Sequence, residues 1–94
     1  MSQHTILYIE DDLKLAQLVS NYLTEHGYTI EHFESGCHAC YQASCKKYDL
    51  ILLDIGLGSE DGFEVFKELK QYQDTPIIFM TAGRAKSIIS LALS

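Results

Sequence analysis

The hydrophobic and polar positions of this chain follow two alternating patterns. Short apolar runs bounded by polar residues are typical of strands that are buried on both faces of a parallel sheet. Between these runs, apolar residues recur at three- and four-residue spacing, which predicts amphipathic helices. The predicted strands cover residues 6–9, 28–33, 49–54 and 77–80.

Polar residues and glycines mark the ends of the predicted helices. Asp12 stands at an N-cap position, where its side chain can accept a backbone N–H group. Gly27 follows the first helix, and glycine readily takes the left-handed conformation that ends a helix. Strands that alternate with such helices predict an α/β fold, with right-handed crossovers and a parallel sheet covered on both faces. The predicted helices cover about residues 12–26, 35–47, 61–69 and 87–93.

Length and charge exclude several classes of protein. A chain of 94 residues makes one small domain. Its formal net charge of −6, without a cluster of lysine or arginine, argues against a nucleic-acid surface. The apolar runs are far shorter than the roughly 20 residues that span a bilayer, and the N-terminus lacks the basic segment of a signal peptide. We therefore expect a cytoplasmic domain that binds neither nucleic acid nor membrane directly.

Carboxylates and a hydroxyl stand at the carboxyl ends of three predicted strands. Glu10 and Asp11 follow the first strand, Asp54 ends the third, and Thr81 follows the fourth. If the first and third strands are neighbours, the three acids converge at the sheet edge where open parallel sheets bind ligands. Mg²⁺ would relieve their mutual repulsion, and a carboxylate beside it can attack a phosphoryl group. The plainer alternative is that these residues only cap a helix and end a strand.

The cysteines and histidines carry no comparable signal. Cys37 and Cys40 form a C-x-x-C motif, but no second ligand pair follows to complete a zinc site. Cys40 falls on the apolar face of the second predicted helix, which favours a structural role. The histidines are scattered, and the sequence assigns none of them a function: His4, His26, His32 and His38.

Four motifs together resemble the receiver domain of bacterial two-component response regulators. The form of the acidic motif and the loop lengths are most similar to the subfamily with a winged-helix DNA-binding output domain. The resemblance implies a flavodoxin-like doubly wound sheet with the strand order 2-1-3-4-5. The motifs are Ile-Leu-Tyr-Ile-Glu-Asp-Asp-x-x-Leu at 6–15, Tyr-Asp-Leu-Ile-Leu-Leu-Asp-Ile-x-Leu at 48–57, Asp-Gly at 61–62 and Pro-Ile-Ile-x-Met-Thr-Ala at 76–82.

The resemblance implies a phosphoacceptor and a metal site. Asp54 would accept a phosphoryl group from a sensor histidine kinase in an Mg²⁺-dependent reaction. Asp11, Asp54 and the backbone carbonyl of Gly56 would ligate Mg²⁺, and Glu10 would act through a coordinated water molecule. Phosphorylation would then control a transcriptional output.

The resemblance also implies a switch at the end of the fourth strand. The hydroxyl of Thr81 would swing toward the phosphoryl group, and the backbone N–H of Ala82 would help to bind it. The added negative charge would move the adjoining loop and so change the output surface. Such a domain is not an enzyme, beyond phosphorylating and dephosphorylating itself.

Two departures from the family pattern affect these expectations. The family usually has proline where this chain has Gly58. The chain also stops at Ser94, before the fifth strand, its lysine and the fifth helix. Residues 1–94 would then be one truncated receiver domain whose fourth strand is an open sheet edge. An open apolar edge invites pairing, so we expect a homodimer or a segment swap over it.

Three other functions fit the residues less well. A phosphohydrolase with a D-x-D pair would need a second acid two positions after Asp54, where Gly56 stands. A flavin or nucleotide binder would need a phosphate-binding loop after the first strand, but the acidic stretch there would repel a phosphate. A phosphorylation-impaired fragment that acts only through protein–protein interaction stays open.

Overall fold

A computed structural model of the protein describes residues 4–54, 56 and 61–80, together with the backbone of residues 88–91. The predicted strands and the first three helices are confirmed, with small differences at their ends. No helix in these ranges is long and apolar enough to cross a membrane. The elements are β1 (Thr5–Ile9), α1 (Leu13–Glu25), β2 (Thr29–Phe33), α2 (Gly36–Cys45), β3 (Leu50–Asp54), α3 (Gly62–Tyr72), β4 (Ile77–Met80) and β5 (Ile88–Leu91).

The sheet has the predicted topology over its first four strands. Its order is β2-β1-β3-β4-β5, and β1 to β4 are parallel. The register aligns Ile9 with both Phe33 and Leu53, and it aligns Asp54 with Met80. The carboxyl ends of β1, β2, β3 and β4 therefore meet at one edge of the sheet.

Residues 88–91 differ from the prediction. They form β5, antiparallel to β4, where the sequence predicted part of a helix over 87–93. A run of four residues is too short for periodicity to separate a helix from a strand, and the free edge of β4 supplies partners for a strand. Because β5 pairs with β4, the predicted open edge is absent. The expected homodimer or segment swap stays a prediction, and the edge of β4 that motivated it is paired with β5.

Two apolar clusters cover the two faces of the sheet. The larger cluster packs α2 and α3 on one face and includes Ile51, Leu53 and Leu69, all fully buried. On the other face, α1 is the helix that packs among the described residues, and the cluster there includes Ile6 and Tyr8. Beside α1 lies an open apolar groove of about 470 Å³ over the inner strands. In the part of the chain that the structure describes, the face under α2 and α3 is therefore the better covered one.

The cap residues behave as the sequence predicts. The Asp12 carboxylate accepts the N–H groups of Lys14 and Leu15, each at 3.1 Å. After α1, Gly27 has φ of +94°, a conformation that strains any residue with a Cβ atom. These two residues fix where α1 begins and ends.

Helix α2 has the structural role predicted for its small residues. Cys40 is buried, whereas Cys37 and Cys45 are exposed thiols. A Cβ atom at Gly36 would overlap the side chain of Val65, so the absence of a side chain lets α2 approach α3 closely. In the described part of the chain, no cysteine belongs to a potential metal-binding cluster.

Gln73 holds the end of α2 against the start of β3. Its Oε1 accepts the N–H of Tyr48 at 2.9 Å, and its Nε2 donates to the carbonyls of Ala43 and Lys46 at 2.8 and 2.9 Å. Thr75 adds a hydrogen bond from its hydroxyl to the Tyr48 carbonyl at 2.9 Å. The side chain thus pairs backbone groups that would otherwise be buried without partners. The sequence did not reveal this role.

We expect Gln73→Ala to lower the free energy of unfolding by about 2–4 kcal/mol, because it leaves several buried backbone groups unpaired. The matched control is Gln71→Ala, an exposed glutamine on α3, which should change stability by less than about 0.5 kcal/mol. Urea unfolding of both variants measures the difference. Equal stabilities for the two would contradict the proposed role of Gln73.

Candidate functional site

The parallel pairing of β1 with β3 brings three carboxylates together. Glu10 and Asp11 leave the end of β1, and Asp54 is the last residue of β3. One carboxylate oxygen from each lies within 4.8 Å of the other two. Glu10 and Asp54 are buried, with 2% and 1% of their surface exposed, and Asp11 is exposed. The predicted convergence of the acids is confirmed.

The Glu10 carboxylate is held on both of its oxygens. Its Oε1 accepts a hydrogen bond from the Tyr8 hydroxyl at 3.4 Å, and its Oε2 accepts the Asp12 N–H at 3.2 Å. Burial, followed by a side-chain hydrogen bond between the Glu10 and Asp54 carboxyl groups and by the charge of Asp54, raises the pKa of Glu10 from 4.5 to about 8. Without a cation, Glu10 therefore keeps its proton near neutral pH.

The two oxygens of Asp54 have different surroundings. Oδ1 accepts the N–H of Gly56 at 2.8 Å, which fixes the orientation of the carboxylate. Oδ2 is buried and receives no hydrogen bond from an N–H or hydroxyl group of the described residues, so only the carboxyl group of Glu10, when protonated, is left as a donor to Asp54. A buried carboxylate oxygen without a donor is unfavourable, so it is the atom that an added ligand would satisfy.

The cluster has the chemistry that a hard divalent cation requires. All of its side-chain donors are carboxylate oxygens, which Mg²⁺ and Ca²⁺ prefer over nitrogen or sulfur ligands. A cation would also offset the repulsion between the Glu10 and Asp54 carboxylates. Glu10, Asp11 and Asp54 therefore fit the predicted metal site.

The other predicted site residues are only partly covered by the structure. Thr81, Ala82 and Gly58 lie outside the described residues. The N–H of Gly56 contacts Asp54, but the predicted role of its carbonyl as a metal ligand stays a prediction.

Two residues beside the site had no predicted role. Tyr8 is fully buried and donates to Glu10, and His32 makes a hydrogen bond of 2.7 Å with the Glu10 backbone carbonyl. Their rings contact each other across the sheet, with centroids 5.5 Å apart. The sequence could have indicated His32 only by its position near the end of β2, the strand that pairs with β1. That signal is visible only once the sheet order is known.

Known proteins resemble this chain over nearly all of its length. The family described as "Response regulator receiver domain" matches residues 6–94. The transcriptional activator protein IrlR of Burkholderia pseudomallei is 38% identical over 77 residues, which cover 82% of this chain and 34% of IrlR. The transcriptional regulatory protein CiaR of Streptococcus pneumoniae is 41% identical over 78 residues, with the same coverage of 82% and 34%.

A solved structure agrees with these matches. It is the N-terminal domain of a response regulator/sensory box/GGDEF 3-domain protein from Carboxydothermus hydrogenoformans. Its TM-score is 0.80 at 33% identity, over 90% of this chain and 70% of that one. The present chain spans about a third of the length of the curated relatives it matches.

The raised pKa of Glu10 predicts a pH-dependent stability. The unfolded chain loses this proton near pH 4.5, but the folded protein keeps it until about pH 8. Without divalent cations, the free energy of unfolding should therefore fall as the pH rises from 4.5 through 8. The loss should be on the order of a few kcal/mol, at about 1.4 kcal/mol for each pKa unit. Mg²⁺ should restore stability more at pH 8 than at pH 5.

Urea unfolding across this pH range, with EDTA or Mg²⁺, tests the effect. Glu10→Gln should flatten the fall, whereas the exposed Glu25→Gln, which removes the same charge from the end of α1, should not. If Glu10→Gln keeps the slope of the unchanged chain, the assignment to Glu10 is wrong.

Proposed function

This chain belongs to the response regulator receiver domain family, and from that premise we propose that it is a phosphoacceptor whose Asp54 is phosphorylated by a sensor histidine kinase. Receiver domains of response regulators are signalling domains. The observation that carries the proposal is Asp54 itself, which is grouped with two further carboxylates and whose buried Oδ2 receives no hydrogen bond from an N–H or hydroxyl group of the described residues.

The three acids differ in a way that supports Asp54 as the nucleophile. Glu10 accepts hydrogen bonds on both oxygens, and burial favours its protonated form. Asp11 is exposed and follows the end of β1. In the described part of the chain, Asp54 has one oxygen oriented by a backbone N–H and the other left for a reacting atom. An oriented nucleophile lowers the entropic part of the barrier to phosphoryl transfer.

In the proposed reaction, Asp54 Oδ2 attacks the phosphorus of a phosphohistidine. The new O–P bond forms as the N–P bond breaks, and the electron pair returns to the imidazole nitrogen of the kinase. Asp11, Asp54 and the Gly56 carbonyl would hold Mg²⁺, with Glu10 contributing through a coordinated water molecule. The bound cation neutralises negative charge that develops on the transferring oxygens.

We extend the proposal to the residues that follow β4. The Thr81 hydroxyl and the Ala82 N–H would bind phosphoryl oxygens once the acyl phosphate forms. Phosphorylation adds about −1.5 to −2 charge at the end of the sheet, and this negative charge would attract the two donors. That movement would carry the signal to the output surface.

The relatives support a transcriptional output. IrlR and CiaR are named as transcriptional regulators, and the chain matches about a third of each. We propose that residues 1–94 act as one cytoplasmic receiver domain that controls such an output. The net charge of −6 favours a role in which this domain does not touch DNA itself.

We expect the chain to incorporate one phosphoryl group from acetyl phosphate in the presence of Mg²⁺. Asp54→Asn should abolish incorporation, because an amide oxygen is a poor nucleophile. Asp74→Asn removes an exposed aspartate away from the site and should leave incorporation unchanged. Intact-mass spectrometry detects the added phosphoryl group, and loss of the added mass on treatment with hydroxylamine identifies an acyl phosphate.

Beryllofluoride with Mg²⁺, followed by amide NMR, tests the same site without a phosphodonor, because beryllofluoride on an aspartate mimics the acyl phosphate. Shifts centred on Asp54, Asp11 and Thr81 are expected. A folded chain that shows neither these shifts nor incorporation would contradict the proposal. It would favour the alternative of a fragment that acts only through protein–protein contacts.

A further inference from the structure

The loop that carries Glu10 and Asp11 is tied to β2 beyond the last strand pair. The parallel ladder between β1 and β2 ends with Ile9 opposite Phe33. The N–H of Glu10 still donates to the Phe33 carbonyl at 3.0 Å. On the other side of Glu10, its own carbonyl is 2.7 Å from Nε2 of His32. The backbone of Glu10 is therefore held at both its N–H and its C=O.

The contact between His32 and Glu10 has a defined direction. A carbonyl can only accept, so Nε2 of His32 carries the hydrogen and donates it. Among the described residues, the ladder supplies no backbone donor at this step, because the pairing of β1 with β2 ends at Phe33. The imidazole N–H of His32 thus takes the place of the backbone N–H that would form the next hydrogen bond between the strands.

The imidazole is itself held in place. His32 is partly buried at the end of β2, and its ring contacts the fully buried ring of Tyr8 on β1. Tyr8 in turn donates to the Glu10 carboxylate. His32 therefore holds the peptide that joins Glu10 to Asp11, and Tyr8 holds the Glu10 side chain.

We propose that His32 is a positioning residue for divalent-cation binding at this site. Its Nε2–H fixes the peptide between Glu10 and Asp11, and this peptide sets the direction in which both carboxylates point. The inference rests on the proposed metal-dependent function of the acidic cluster. In this proposal His32 affects the affinity for the cation without binding either the cation or the phosphoryl group. Partners that orient metal ligands typically change affinity by about 10–100-fold when removed.

The test measures the Mg²⁺ dissociation constant of the folded chain by isothermal titration calorimetry, with amide NMR to report on Glu10 and Asp11. His32→Leu removes the donor and should weaken Mg²⁺ binding by about 10-fold or more. His32→Gln places an amide nitrogen where Nε2 was and should keep the affinity of the unchanged chain. His38→Leu, an exposed histidine on α2, controls for the loss of a histidine elsewhere.

A merely structural role would lower stability and leave the Mg²⁺ affinity of the folded protein unchanged. The inference is overturned if His32→Leu binds Mg²⁺ like the unchanged chain, or if His32→Gln loses as much affinity as His32→Leu. Should His32→Leu fail to fold, His32→Asn replaces it, because its shorter amide cannot reach the Glu10 carbonyl.

Phosphorylation separates this inference from the proposed function. If the unsubstituted chain binds Mg²⁺ but takes up no phosphoryl group, the proposed function fails. The role of His32 is then judged only by comparing the Mg²⁺ affinities of the unsubstituted chain and its His32 variants. If phosphorylation occurs, His32→Leu should need more Mg²⁺ for half-maximal rate and reach the same maximal rate. An unchanged Mg²⁺ requirement would overturn the role of His32 and leave the proposed function intact.

Discussion

The in-register parallel pairing of β1 with β3 is the constraint on which the site depends. It aligns Ile9 with Leu53, so that Glu10 and Asp54 leave the sheet side by side and both are buried. Two buried carboxylates at this distance repel each other, and the pKa of Glu10 rises to about 8 as a result of its burial and of Asp54. The fold therefore contains a local instability that a cation or a proton relieves. Instability of this kind is common where a protein binds ligands.

The surroundings of the acids divide their roles. Glu10 is restrained through Tyr8 and Asp12, each two residues away in the chain, and through His32 on β2. Among the N–H and hydroxyl groups of the described residues, only the Gly56 N–H donates to Asp54, and it binds one oxygen. Restraint suits a group that shapes the electrostatics of a site, and a free oxygen suits a group that reacts.

The opposite end of β3 is also fixed by side-chain hydrogen bonds. Gln73 and Thr75 hold Tyr48, which lies just before β3, through hydrogen bonds to its backbone. Because β3 is central in the sheet and carries Asp54 at its other end, contacts far from the acids help to set their position. The register of a strand is a property of its whole length, since a slip of one residue moves every side chain to the other face.

The sequence by itself determined the order of β1 to α3, the cap at Asp12, the left-handed glycine after α1 and the convergence of three acids. These features follow from residues close together in the chain, or from the rule that parallel strands end at a common edge. The contacts made by His32 and Gln73, and the strand formed by residues 88–91, are visible only in the tertiary structure. The contact between His32 and Glu10 joins residues 22 positions apart, and that between Gln73 and Ala43 joins residues 30 apart. Residues 88–91 form a strand because the edge of β4 supplies hydrogen-bond partners that no local pattern encodes.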